Sequence, residues 1–142
     1  MKRNRYYYYI GILVLFIIIQ LIPVERENPA SNSQLEITAP PQVKTILKKS
    51  CYDCHSNQTN WPFYSYIAPI SWFITSDVKE GRRHVNFTEW NNLSPEKKKR
   101  VKEELLEEIS EDGMPLPSYR MMHPDAKLSD EQKAILKDWV EK

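Results

Sequence analysis

The chain has 142 residues, enough for one domain of about 100–120 residues and a short appendage. A formal net charge of +1, falling to −2 once Lys2, Arg3 and Arg5 are set aside, carries no electrostatic footprint for nucleic acid, and no nucleic-acid partner is expected. With only three glycines, ten prolines and charge dense towards the C-terminus, a sheet-rich architecture is disfavoured and an all-α fold of helices joined by proline-bearing loops is predicted.

In chain order, residues 1–24 read first as a membrane segment. A basic start leads into Tyr6 to Tyr9 and an apolar run from Ile10 to Ile22, interrupted at Gln20 and closed by Pro23. As a helix, Tyr6 to Ile22 would span about 26 Å, the short end of a bilayer crossing. A single N-terminal transmembrane helix is expected, its tyrosines at the interface and its positive start in the cytoplasm. A cleaved signal segment is the rival reading, disfavoured because Pro23-Val24-Glu25-Arg26 offers no small-residue cleavage pattern. Either way, the body of the chain is expected outside the cytoplasm; with the helix retained, it is expected at the cytoplasmic (inner) membrane, facing the periplasm or cell exterior.

Residues 25–39 are polar and aperiodic, as a linker would be, and 40–142 form the folded domain. From Pro41, residues Val43, Ile46, Leu47, Cys51 and Cys54 recur at three- and four-residue steps and predict a helix with both thiols on its buried face. A second helix begins near Pro69, with Ile70, Phe73, Ile74 and Val78 on one face and Gly81 near its end. Arg82 to Trp90 reads as irregular. Ser94-Pro95 is an N-cap and first turn for a helix carrying Val101, Leu105 and Ile109 and ending before Gly113. Its charge run from Lys97 to Glu108 reads as a solvated face. Met114-Pro115-Leu116-Pro117 is a loop, and Ser129 to Gln132 resembles a capping box for a last helix with Ile135 and Trp139 inward and Leu136 and Val140 as further inward candidates.

The residues that carry chemistry are Cys51-Tyr52-Asp53-Cys54-His55, which hold both cysteines and one of the three histidines. C-x-x-C-H is the spacing of covalent c-type haem attachment: two thiols three residues apart can each take one vinyl group, and the next histidine falls beneath the iron. Two rivals fare worse. Zinc wants about four ligands and there is no second cysteine pair; a thioredoxin-like thiol pair wants a βαβ context, and no strand pattern exists. One motif, without an internal repeat, implies one haem c and its iron per chain.

A helix ending in C-x-x-C-H, a later Met-Pro loop and a C-terminal helix with an inward aromatic follow the plan of class I c-type cytochromes. The chain resembles more closely a small bacterial haem-binding domain family, through Cys51 to Ser56, Trp61-Pro62, Tyr64, Pro69, Gly81-Arg82, His84, Asn86-Phe87, Trp90, Met114-Pro115, Tyr119, His123, Leu128-Ser129 and Trp139. The resemblance covers about residues 40–140 and implies a small cytochrome c-like helical domain around one covalently attached haem.

On the residues themselves, Cys51 and Cys54 hold the porphyrin and His55 is the proximal iron ligand. Its other ring nitrogen should donate to a carbonyl, for which the Pro62 or Pro69 loop is a candidate. Met114 leads as the distal ligand: it lies in a loop, precedes proline and follows the motif by about 60 residues. Met121, Met122, His84, His123 and an open site remain alternatives, as does Met114 as ordinary core. The aromatics Trp61, Phe63, Tyr64, Tyr66, Trp72 and Phe73 are expected to wall the haem pocket and core, with Tyr64, Tyr119 or Arg82 near the propionates. The function expected is that of a membrane-tethered monohaem electron carrier with a redox partner protein and no small-molecule substrate, not an enzyme. A haem-based sensor or catalyst with an open or labile sixth iron position is the alternative.

Overall fold

The computed structural model describes residues 2–142, with side chains from Arg5 onward. Met1 and the side chains of Lys2 and Arg3, part of the expected basic start, lie outside the described residues. The architecture is all-α. Among the described residues seven helices follow one another: α1 (Lys2–Ile19), α2 (Pro41–Ser50), α3 (Tyr52–His55), α4 (Ile70–His84), α5 (Pro95–Ser110), α6 (Pro117–Met122) and α7 (Asp130–Glu141). Short 3-10 turns occupy Phe63–Tyr66, Phe87–Asn92 and Pro124–Ala126, and no strand occurs among the described residues.

The expected transmembrane helix is overturned. Among the described residues, no helix is long and apolar enough to cross a membrane. The helix stops at Ile19 rather than Ile22, and its first half is spent on Lys2, Arg3, Arg5 and four tyrosines. The remaining stretch from Ile10 gives about 15 Å of apolar helix against a hydrocarbon core of about 30 Å. The membrane partner and the inner-membrane localisation rested on that helix and are corrected with it. Gln20, read as an interruption, has a definite contact: its side-chain amide pairs with the backbone of Ala68, accepting from the N–H at 2.8 Å and donating to the carbonyl at 3.2 Å.

Residues 25–39 lie along the domain. The Asn28 side chain accepts from the Thr59 N–H and donates to its carbonyl, Arg26 sits 4.3 Å over the Tyr66 ring, and the Ile37 N–H donates to the Phe87 carbonyl. Ile37 is itself fully buried. The core gathers around it from α2 (Val43, Ile46, Leu47), α5 (Val101, Ile109) and α7 (Leu136), with Phe87 and Trp90 wedged between. Each such side chain contributes about 1.5–3 kcal/mol relative to exposure.

Helix ends follow the local chemistry where side chains provide it. Ser94 Oγ accepts from the Lys97 N–H, and Ser129 and Gln132 close a reciprocal capping box. Two faces differ from expectation. In α4 the buried residues are Ser71, Thr75, Val78 and Gly81, while Ile70 and Phe73 are exposed. At Gly81 the Cys54 backbone is too close for any side chain. In α7, Leu136 is the fully buried residue, with Ile135 and Trp139 packed half-buried beside it.

Candidate functional site

The motif does not continue α2. That helix ends at Ser50; Cys51 leaves helical geometry (φ −127°, ψ −33°), and Tyr52–His55 form a separate turn, α3. Three contacts then hold it.

First, Gly81 of α4 packs directly on the Cys54 backbone. A Cβ there would lie 2.6 Å from the Cys54 carbonyl oxygen, closer than real Cβ contacts come. Second, α4 ends at His84 and Val85 is extended, so its carbonyl is free of the helix; His55 Nδ1 donates to it at 3.2 Å. A carbonyl only accepts, so Nδ1 carries the hydrogen and Nε2 keeps its lone pair. Val85, rather than the Pro62 or Pro69 loop, is therefore the partner. Third, Asn86 Nδ2 donates to Asn57 Oδ1 at 2.7 Å, and Thr88 Oγ1 accepts from the Asn57 N–H at 3.1 Å. These bonds tie the residues after the motif to the strip that carries Val85.

The motif opens on a cavity of about 430 Å³ whose lining includes Cys51, Cys54, His55 and Met114. The structure thus brings Met114, distant in sequence, to the same space as the motif. Its apolar wall is built from Val85, Phe87, Val101, Leu105, Ile109 and Leu116. Phe87 stands 6.1 Å from the His55 ring and stacks with Tyr52. Met114 arrives there because α5 terminates in a turn with Asp112 in the left-handed region (φ 57°), and the Glu108 carbonyl accepts from both Gly113 and Met114.

The other distal candidates separate by position. His84 lines the cavity but is exposed and paired with Glu80 at 3.2 Å. It immediately precedes the residue that holds His55. Met121 and Met122 are exposed and do not line the cavity. His123 is engaged elsewhere, its Nε2 hydrogen-bonded to the Tyr64 hydroxyl at 2.6 Å and its ring stacked on Tyr119.

Burial pushes the Cys51 thiol up to about 12, with the Cys54 charge adding to it; burial, then Asp53 and Asp77, do the same to Cys54. Both are free thiols, protonated at neutral pH. A thiol-exchange pair needs the opposite shift. Among the described residues no three His, Cys, Asp or Glu side chains converge as a metal site would require, which leaves zinc without a ligand set. His55 is pushed below the ordinary imidazole range by burial, against the carbonyls of Val85 and Gly81. A neutral imidazole with one nitrogen fixed is the form a metal ligand needs.

Sequence reasoning missed several things. The expected aromatic wall does not form: none of Trp61, Phe63, Tyr64, Tyr66, Trp72 and Phe73 lines the cavity, and Phe63, Tyr66 and Phe73 are exposed. The aromatics that do line it are Phe87, in the stretch read as irregular, and Tyr119, one of the residues expected near the propionates. Arg82 points elsewhere, its guanidinium donating to Ser56 O, Glu27 O, Asn28 Oδ1 and Thr59 Oγ1. The cavity edge instead carries Asp53, Asp77, Glu80, Glu104 and Glu108, with no lysine or arginine. Two acids of the supposed solvated face of α5 thus belong to the site. Gly81 carried a readable signal, being a glycine inside a helical pattern without a turn to serve.

Fold and site define a helical domain with an apolar cavity beneath a C-x-x-C-H turn. The family model described as "Haem-binding domain" matches residues 14–142, and the chain belongs to that family. It is a haem-binding domain. No curated protein and no solved structure gives a significant match.

Proposed function

We propose that the chain is a monohaem c-type cytochrome-like electron carrier, with haem held covalently by Cys51 and Cys54 and its iron between His55 and Met114. The observation that carries this reading is the single cavity lined by all four residues. The residues fit the group. The walls are apolar, His55 is neutral with a fixed tautomer, and each cysteine is a protonated thiol in the attachment spacing.

Each thiol would add its S–H across one vinyl double bond, sulfur to one carbon and hydrogen to the other. His55, oriented through Val85, supplies the proximal nitrogen, and Met114 a soft neutral ligand that favours the reduced state relative to a second histidine. The bound haem supplies one-electron redox chemistry. The protein's part is to hold both ligands while oxidation state changes, and the apolar wall keeps water from the iron. A closed sixth position suits carriage of electrons rather than catalysis.

Absorption spectra of the holoprotein test this. The ferric form should show the weak near-infrared charge-transfer band of a thioether–iron bond, Met114→Ala should abolish it, and the ferrous form should bind carbon monoxide slowly. Rapid carbon monoxide binding by the unmodified holoprotein would instead favour a sensor or catalyst with an open sixth position.

A further inference from the structure

We propose that Tyr119 and Asp53 form a latch that positions Met114, an inference that rests on the reading of Met114 as the distal ligand. The N-terminal side of the Met114 loop is fixed by the terminal turn of α5, through the Glu108 carbonyl. The C-terminal side has no comparable anchor of its own. Pro115 is buried, but the six-residue α6 that follows buries no residue fully. Pro115 and Leu116 hold the loop itself against the cavity, but burial supplies little to fix α6 behind them.

Polar contacts take that role. Tyr119, at the third position of α6, donates its hydroxyl to Asp53 Oδ2 at 2.7 Å. The other oxygen, Oδ1, accepts from the Asn60 N–H at 3.0 Å and from its side-chain amide at 3.3 Å, so the acceptor is itself held. The Tyr119 ring stacks on His123 with centroids 4.3 Å apart and planes 16° apart, and His123 is bound in turn to Tyr64. Arg120 adds one exposed bond to the Asp112 carbonyl. Asp53 stands between the two attachment cysteines. One carboxylate therefore joins the turn that would hold the porphyrin to the segment that would hold the sixth ligand. Both residues line the cavity, but the hydroxyl and one carboxylate oxygen are spent on each other, so we assign them as positioning residues that act through Met114.

The test uses the full-length, haem-loaded protein and three variants: Tyr119→Phe, which removes one oxygen and keeps the stack on His123, Asp53→Ala, which removes the acceptor, and the two combined. A charge-assisted hydrogen bond shifts a two-state population by roughly tenfold or more. Each single variant should weaken the thioether–iron band and speed carbon monoxide binding to the ferrous form about tenfold, with haem still attached on a denaturing gel. The combined variant should do no more than either alone, because both remove the same bond. A parent protein without the band overturns the Met114 reading and the latch together. A parent with the band, and a Tyr119→Phe protein that keeps the parental band and carbon monoxide rate, overturns the latch alone. Should Tyr119→Phe not fold, Asp53→Ala decides by the same two readouts, and additive effects in the combined variant would overturn the pairing.

Discussion

On the motif side of the cavity, Cys54 lies under a glycine whose neighbourhood admits no Cβ, His55 is bound to a main-chain carbonyl, and Asn57 is clamped by two buried or half-buried side chains. On the Met114 side, a loop runs into a six-residue helix that buries nothing fully and is fastened by side-chain hydrogen bonds. The first wall is over-determined by backbone geometry. The second is set by a few polar contacts that single atoms can remove. The motif wall fits a permanent attachment and the other wall a ligand whose hold can be tuned.

Four changes would break or sharpen that contrast. Phe87→Ala should cost most, about 3–5 kcal/mol, because it empties a fully buried site shared by Tyr52, His55 and Trp90. Denaturant unfolding would measure it. Gly81→Ala should cost about 1–3 kcal/mol by forcing α4 off the Cys54 carbonyl. It should also disturb the His55 environment, since Val85 moves with α4; proton NMR of the His55 ring would report the change. Met114→Ala, at a half-buried position, should leave the unfolding free energy within about 1 kcal/mol of the parent while changing the visible spectrum of the holoprotein. A large loss of stability there would mean that the second wall is as rigid as the first.

The smallest effect is expected at Glu36, behind the motif wall. Burial pushes its carboxyl up, but the Lys44 ammonium at 3.1 Å and the Tyr52 hydroxyl at 2.9 Å hold it below the usual carboxylate range. The folded value lies below the unfolded one, so this contribution is fully present above about pH 4.3 and is lost as pH falls through the folded value. Glu36→Gln should flatten the acid limb of the stability profile, measured by thermal unfolding between pH 3 and pH 6 (roughly the window of carboxylate titration).

The same contrast explains what could be read in advance. Periodicity placed α2, α5 and α7 because their apolar residues recur on one face, and the caps at Ser94 and Ser129 follow from hydroxyl chemistry that acts over three residues. The C-x-x-C-H spacing is local too, and so was legible. The rest depends on long-range packing. The inward face of α4 combines Ser71 and Thr75 with Val78 and ends on Gly81, which must meet the Cys54 backbone, and no hydropathy pattern records that. Phe87 and Trp90 enter the core from 3-10 turns, which have no helical period to betray them. The first helix was misjudged by running it through Gln20 to Ile22, whereas the Gln20 side chain turns to pair with Ala68, 48 residues away, and the helix stops at Ile19.

The central claim is that this haem-binding domain holds its haem through Cys51 and Cys54. Intact mass of the protein, co-expressed with cytochrome maturation machinery and then denatured in acid, tests it most directly. The account predicts a polypeptide heavier by one haem, with Cys51→Ala or Cys54→Ala losing one of the two attachments and the double variant carrying none. A denatured parent chain at its bare polypeptide mass, or a double variant that still carries the haem mass, would contradict it.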